Sequence, residues 1–399
     1  MRKLNKTAAC GILAAALAAG TLSGCSKAID GTKTVATVGD EKVTLGLASY
    51  MVRDQQAQTM SYYNMLMSQY GVSGSASNVW DQKGDDGKTV GESSKDGVMT
   101  TINQLYVLKA HAADYDVTIT DDEEKAIKEA AAEFIKDNDE KILKKLAVSE
   151  DDIVTYLELV TIRSKMHDPM TADVDTEVSA NEKDQTRVTI VKVSTEGTEK
   201  DDDGNTIDLT DEEKAQKKDL AQQVLDKVKA SDDVANADMD ALAKEVDDSL
   251  SATAPAFTTA GSTDDTLDEA VQDAALELKD GEVADSVIEG DDGYYVVRLD
   301  KMLDEDATEN KEKTVISERK SDLFDSTLED WVKEEKIKVK DKVWDQITVT
   351  DSVSFVYKSA DSSDDTKSSD VQDSTEDTSS QDNSEDTITE DTAAEDSAE

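Results

Sequence analysis

The sequence predicts an α+β fold with a helical first half, a mixed second half and an acidic tail. Helical periodicity with capping signals dominates residues 44–168, whereas β-branched strand patterns alternate with helices in residues 187–299. Residues 359–399 carry almost no large apolar side chains. Because period 3.6 indicates helix and period 2 indicates strand, we expect a helical domain beside a small antiparallel sheet packed with helices.

The N-terminus has the organisation of an export signal. Basic residues precede an alanine-rich run (residues 8–19), and the tetrapeptide Leu22-Ser23-Gly24-Cys25 follows. The run is too short for a spanning helix, which needs about 20 apolar residues. The tetrapeptide matches a bacterial lipobox and predicts a signal peptide over residues 1–24, a lipid on Cys25 and a tether over residues 25–33. The alternative is a secreted protein with a free cysteine.

Charge and cysteine content exclude several classes of protein. The formal net charge is −48, which makes nucleic acid an implausible partner and leaves the lipid as the means of holding the chain at the outer face of a membrane. Cys10 is lost with the leader, so only Cys25 remains and no disulfide or cysteine metal site can form. We expect no cofactor and no metal.

The last segment, residues 351–399, is predicted to be a disordered tail. Residues 359–399 contain 15 Asp or Glu, one lysine and no aromatic side chain, so they cannot bury enough apolar surface to offset the entropy of ordering. Solubility and extension are the expected roles. Weak calcium buffering and repulsion of binding partners are the alternatives.

Helical signals dominate residues 34–180. A small hairpin over residues 34–43 precedes a helix that Thr44 caps and that runs to Tyr70, followed by a polar loop to residue 94 and a helix over residues 98–115. Capping boxes beginning at Thr120 and Ser149 start two more helices, the second ending near Pro169.

The period changes after a polar linker over residues 171–185. The expected order over residues 181–303 is a strand (187–193), three helices and two strands (285–289 and 294–299), with a further strand before the third helix. A capping box at Thr210 begins the first of these helices.

Residues 244–299 resemble a parvulin-type peptidyl-prolyl isomerase domain. The specific match is LDEAVQDAALELKDGEVADSVIEGDDGYYVVRL, residues 267–299. The first half, with VATVGDEKVTL, looks like the N-terminal chaperone domain of SurA-type and PrsA-type foldases. The resemblance implies an inserted parvulin-like domain over residues 181–303 and a helical chaperone domain over residues 34–180. Residues 304–350 would return to complete the chaperone domain with a late helix (309–331) and a final segment (339–349).

The resemblance also implies a site. The family's prolyl pocket falls on Leu267, Val271 and Leu276, which are all apolar. Its two histidines fall on Val188 and Tyr295, and Asp248 is the nearest acidic candidate.

Both family histidines are therefore missing. The chain's own two, His111 and His167, lie in the helical half, where we expect surface or helix-end positions. We therefore predict weak or absent isomerase activity.

Two functional classes follow. One is a membrane-anchored chaperone for unfolded or partly folded exported proteins, with Met51, Met60, Tyr63 and Met67 as client-binding residues, because methionine adapts to varied apolar partners. A plain helical core is the alternative explanation of that stripe.

The other class is an active peptidyl-prolyl isomerase. A solute-binding lipoprotein, which would need repeated strand-helix-strand units in two lobes, is disfavoured by the helical first half. A homodimer remains open.

Overall fold

A computed structural model describes residues 15–17, 29–69, 79–198, 206–260, 267–349 and 355–357. Cys25, the predicted site of lipid attachment, nearly all of the predicted leader and residues 358–399 of the predicted tail lie outside these ranges. None of the described helices combines the length and the apolar character that crossing a membrane requires.

The described elements alternate between long helices and short strands. The α-helices are α1 (Leu45–Gln69), α2 (Val90–His111), α3 (Asp121–Asp137), α4 (Glu140–Leu146), α5 (Glu150–Met170), α6 (Ala180–Lys183), α7 (Asp211–Lys229), α8 (Met239–Lys244), α9 (Glu269–Leu276), α10 (Glu305–Glu334) and α11 (Asp341–Trp344). The strands are β1 (Ala15–Leu17), β2 (Thr34–Val38), β3 (Glu41–Thr44), β4 (Gln185–Ser194), β5 (Ala252–Thr253), β6 (Ala256–Thr258), β7 (Ile288–Glu289), β8 (Gly293–Lys301), β9 (Ile337–Val339) and β10 (Phe355–Tyr357).

A three-stranded antiparallel sheet of order β3-β2-β9 joins the two ends of the helical part. Gly39, at φ 56°, allows the tight turn of the predicted hairpin because glycine has no Cβ to clash. Ala36 in β2 pairs with Val339 in β9, which brings residues about 300 positions apart into register. The late segment of the chain is thus hydrogen-bonded to its beginning.

One apolar core fills the helical part. Tyr50 of α1, 1% exposed, lies edge-on to Phe134 of α3 at 5.6 Å between ring centroids. The same core includes Phe324 and Leu328 of α10 and Ile347, which follows α11. Residues from both ends of the described chain are therefore buried in one cluster.

One boundary in the helical part was predicted wrongly, whereas the predicted end of α5 near Pro169 is confirmed. Helix α2 begins at Val90, not at residue 98, because Thr89 and Glu92 form a capping box that satisfies the first N–H groups. Helix α5 continues through Pro169 to Met170. A proline near the end of a helix removes one hydrogen bond without forcing the chain out of the last turn.

An antiparallel sheet of order β5-β4-β8-β7, with β6 also paired to β4, forms the mixed part. Helices α7 and α8 pack on one face and α9 on the other. The α+β class is confirmed. The expected extra strand before the third helix is present as the short pair β5 and β6, and the predicted helix around Met239 ends early, at Lys244.

Candidate functional site

The face of the sheet under α9 contains the positions that the resemblance singled out. Alternate strand residues point to opposite faces, so Val188 of β4 and Tyr295 of β8 lie on this face. Val191 and Tyr294 lie on the other face, under α7 and α8. The fold therefore brings the candidate residues of both strands to one side.

The strand register separates Val188 and Tyr295, the two positions that the resemblance assigns to the family's histidines. Val188 pairs with Leu299, whereas Tyr295 pairs with Lys192. Four residues along an antiparallel strand span about 13 Å. Side chains at 188 and 295 therefore cannot touch. Lys192, which pairs directly with Tyr295, is the β4 residue nearest to it, and Ile190, which pairs with Val297, lies nearer to Tyr295 than Val188 does.

Tyr295 belongs to a polar group at the edge of the face. Its hydroxyl donates to Asp292 Oδ1, and Lys192 Nζ lies 2.5 Å from Asp292 Oδ2. The hydrogen bond from Lys192, with a smaller contribution from Tyr295, lowers the pKa of Asp292. Burial, together with the bond to the Asp292 carboxylate, raises the pKa of Tyr295. The phenol therefore stays protonated, with its proton already engaged.

The turn before β8 is attached to the start of α9. Asp268 caps α9 by accepting from the backbone N–H of Ala270 at 2.9 Å, and its other oxygen accepts from the N–H of Asp291 at 2.6 Å. A Cβ on Gly290 would lie 2.4 Å from Asp268 Oδ2 and 2.8 Å from the Tyr295 ring. Only glycine fits this approach, which fixes Tyr295 against the turn.

The three predicted pocket residues differ in exposure. Val271 is fully buried between α9 and the sheet, as is Val188 beneath it. Leu267 and Leu276 pack against the same cluster but are partly exposed. In this conformation a bound prolyl ring can contact Leu267 or Leu276, while Val188 and Val271 act as core residues.

Asp248 does not join this group. It is exposed, and its neighbours Val246 and Leu250 pack into the cluster on the opposite face of the sheet. The acidic group beside Tyr295 is Asp292 instead. The sequence offers a signal for it, since Asp292 lies three residues before Tyr295 in a turn rich in glycine and aspartate.

Both histidines lie in the helical part, in the last turns of α2 and α5 as predicted. The ring of His111 stacks on that of Trp331 with 4.1 Å between centroids. The ring centroids of His167 and Phe324 are 5.4 Å apart. Their rings thus support the packing of α10, away from the sheet.

The methionines and tyrosines of α1 differ in how deeply they are buried. Met51, 7% exposed, belongs to the helical core, which at this position favours the alternative of a plain core residue. Met60, Tyr63 and Met67 are partly exposed, and Tyr62 and Met65 are 58% and 61% exposed. The second half of α1 thus presents an accessible apolar surface.

Comparisons with known proteins bear on the mixed part most directly. Residues 200–312 match the family model of the PPIC-type PPIASE domain. No curated protein matches this chain.

Solved structures are similar at low identity. The foldase protein PrsA from Lactococcus lactis is 15% identical over 78% of this chain and 96% of that chain, with a TM-score of 0.31. PrsA from Bacillus subtilis is 18% identical over 66% and 96%, with a TM-score of 0.22. A SurA-like chaperone of Campylobacter jejuni is 14% identical over 65% and 99%, with a TM-score of 0.18.

None of these TM-scores reaches 0.5, so the assignment depends on the family model and on the order of strands and helices in the mixed part. That order follows β4, α7, α8, β5, β6, α9, β7 and β8. The resemblance drawn from the sequence is confirmed, and residues 200–312 are similar to the PPIC-type, or parvulin, family of peptidyl-prolyl isomerase domains.

Proposed function

We propose that this chain is an extracytoplasmic foldase that holds unfolded or partly folded exported proteins, and that its parvulin-like domain has weak or no isomerase activity. The main support is the state of Tyr295. It occupies the position of a family histidine, and its hydroxyl is committed to Asp292. A donor that is already paired is poorly placed to bind a twisting prolyl amide.

Prolyl chemistry explains why this matters. Rotation about the X-Pro bond faces a barrier of about 18–20 kcal/mol, because amide resonance must be broken. A catalyst must hold the ring in an apolar pocket and present free polar groups to the twisted amide. Val188 and Val271 are fully buried, and Lys192 and Tyr295 both bind Asp292. The polar side chains described on this face are therefore already paired with each other, which favours slow catalysis of prolyl isomerisation.

The decisive experiment measures two activities of the intact chain side by side. One is the rate of a proline-limited refolding reaction, and the other is the light scattering of an aggregating client. We expect suppressed aggregation without acceleration of refolding. Acceleration that is lost in Leu267→Ala but kept in Leu303→Ala, the same change at a 51% exposed position, would instead establish an active isomerase.

A second pair of variants tests the histidine positions. The double variant Val188→His with Tyr295→His would leave the two imidazoles about four residues apart along the sheet. The double variant Ile190→His with Tyr295→His would place the two imidazoles closer together. A gain of isomerase activity in the second double variant alone would support the proposal that activity is weak because the family's histidines are missing. Circular dichroism of both pairs shows whether the sheet is retained.

An active isomerase is the second candidate, and the match of residues 200–312 to the PPIC-type model favours it. Leu267 and Leu276 also retain apolar surface that a proline could contact. A solute-binding lipoprotein has less support, because all strand pairs in the described sheets are antiparallel.

The location and domain division belong to the same proposal. A lipid on Cys25 would place the chain at the outer face of the membrane, and Cys25→Ser should release it into the medium and abolish labelling by a fatty acid. Retention of the variant at the membrane would contradict the anchor. We further propose a helical domain over residues 34–180, completed by residues 304–350, with the parvulin-like domain over residues 181–303 inserted between them.

A further inference from the structure

Two stretches of chain connect the helical part to the mixed part, and they run side by side. The first, the entry segment, comprises residues 171–184 between α5 and β4. The second is α10, which follows β8 after a short link and contributes Phe324 and Leu328 to the core of the helical part. Ion pairs and hydrogen bonds join the two connections. The mixed part can tilt only if one connection slides along the other, so these contacts decide how freely it moves.

Little apolar surface holds the two connections together. Among the described side chains of α10, only Phe324 and Leu328 are buried, and both lie in its second half. Val178 is the one buried apolar side chain of the entry segment as the structure describes it. The apolar cluster of the helical part and the two clusters on the sheet share no residue among those described. A helix without a continuous buried stripe that bridges two parts depends on polar contacts for its position.

The first cross-links lie where both connections reach the sheet. The N–H of Gln185 donates to Thr308 Oγ1 at 3.0 Å, and the N–H of Asp304 donates to the carbonyl oxygen of Gln185 at 2.8 Å. One turn further along α10, Lys183 Nζ lies 3.0 Å from Glu312 Oε1. These contacts are close to the short link between β8 and α10, about which the mixed part would turn. They therefore have little leverage against tilting.

Arg319 of α10 forms a cross-link much farther from that link. Its guanidinium donates to the carbonyl oxygens of Asp175 at 3.1 Å and Glu177 at 2.9 Å. It also donates to Glu182 Oε1 at 2.5 Å, so one side chain binds three oxygens of the entry segment. Arg319 lies 15 residues beyond Asp304, about 22 Å along the helix. A contact at this distance has far more leverage against tilting than the contacts beside the sheet.

The charge on Glu182 is maintained in mild acid. Glu182 accepts from the N–H and the hydroxyl of Ser179 in the capping box of α6. The hydroxyl of Ser179, then its N–H and then Arg319 lower the pKa of Glu182 to about 2. The side chains of Arg319 and Glu182 are 26% and 43% exposed, so dissolved ions can screen their charges. The contact should therefore weaken as salt rises, more than as pH falls.

We propose that Arg319 is a salt-sensitive latch, which fixes the tilt of the mixed part relative to the helical part by holding the entry segment against α10. With the latch closed, the two parts move as one body. With the latch open, the mixed part tilts about the link between β8 and α10, while the sheet and the helical core both stay folded. The scarcity of apolar contacts between the connections permits this motion. The latch would act in the same way whether the chain holds clients or isomerises prolyl bonds.

Distances between spin labels in the two parts test the latch. The full chain carries Cys10→Ser and Cys25→Ser, and the labels are attached through Lys125→Cys on α3 and Asp273→Cys on α9, both at exposed positions. At low salt we expect one narrow distance distribution, and one at least about twice as wide in Arg319→Gln. Raising salt to about 1 M, where the Debye length is ~3 Å, should widen the distribution of the unsubstituted latch.

Two further variants separate the latch from general effects of mutation. Lys313→Gln is the matched control, because Lys313 lies on the same helix but pairs with Glu309 of that helix, so its distribution should stay narrow. Arg319→Lys keeps the charge and loses the planar fork that reaches several oxygens, so its distribution should be intermediate in width. A distribution as narrow in Arg319→Gln as with the latch intact would overturn the proposal, as would equal widening in Lys313→Gln.

Hydrogen exchange distinguishes an open latch from a damaged fold. In Arg319→Gln the amides of the entry segment should exchange faster, whereas those of β4 and β8 should keep their rates, because the sheet does not depend on the latch. Faster exchange throughout β4 and β8 would show that Arg319 stabilises the fold itself, and would contradict the latch. A wide distance distribution at low salt with Arg319 in place would also contradict it, because the two parts would then move freely without any substitution.

Discussion

Gly290 lies at the edge of the candidate face, where a side-chain methyl group would collide with neighbouring side chains. The turn it occupies lies against both the Asp268 carboxylate and the ring of Tyr295. Asp268 in turn holds α9 and the Asp291 N–H. The position of Tyr295 therefore depends on close packing at one backbone atom, in addition to its bond to Asp292.

Gly290→Ala should destabilise the fold by about 1–3 kcal/mol, because the new methyl group forces Asp268 or Tyr295 to move. Urea denaturation measures the change. Gly97→Ala is the control, since nothing lies within 4 Å of a Cβ there and alanine favours helix by up to about 1 kcal/mol. Equal effects of the two substitutions would contradict the packing argument.

Asp292 should contribute to a pH dependence of stability. Its pKa is lowered in the folded state, so its stabilising effect is present above the unfolded value of about 3.9 and is lost as pH falls through the lower folded value. The stability difference between the native chain and Asp292→Asn should thus shrink below pH ~4. Asp248→Asn, exposed and outside this group, should show a smaller difference at neutral pH.

At the scale of elements, local signals predicted most helices and missed what depends on tertiary structure. The capping boxes at Thr120, Ser149 and Thr210 each begin a helix as expected. The box at Thr89 was overlooked because Gly91 and a polar run suggested a loop. Burial of Gly91 against Trp80 and Val349, which no local pattern reveals, helps to hold that first turn in place.

The candidate site was less predictable than the fold. Alternation along β4 and β8 correctly brings Val188 and Tyr295 to one face, but strand register decides whether they meet, and register is set by pairing across the sheet. The link from Tyr295 to Asp292 depends on the shape of a turn.

Thr89→Ala should destabilise the helical part by about 1 kcal/mol, because the capping box at the start of α2 loses the side chain that accepts from Glu92 N–H. Thermal unfolding measures this loss. Thr100→Ala, at an exposed position within α2, is the matched control and should be neutral or slightly stabilising. A loss as large in the control would indicate that helix propensity, not capping, is responsible.

At the scale of the whole molecule, the helical core depends on residues that arrive last in the chain. Phe324, Leu328, Trp344 and Ile347 are buried with residues of β2, α1 and α2. Substitutions near residue 347 should therefore loosen helices that lie far away in sequence.

Ile347→Ala should cost about 2–5 kcal/mol, because the side chain is fully buried in that core. Hydrogen exchange should rise in α1 and α2 more than in β4 and β8. Ile207→Ala, the same change at a 46% exposed position, should have little effect. Uniform loss of protection across both parts would show that the two cores unfold as one unit.

The pairing of β2 with β9 also determines when each part can form as the chain is synthesised. Every strand of the β4–β8 sheet precedes β9 in the chain. The inserted sheet can therefore fold while the helical part still lacks its third strand and part of its core. Contacts so distant in sequence slow folding, and a chain delivered from its N-terminus must wait for its last helix to complete its first domain. A protein of this topology would therefore pass through a long stage in which its helical core is incomplete.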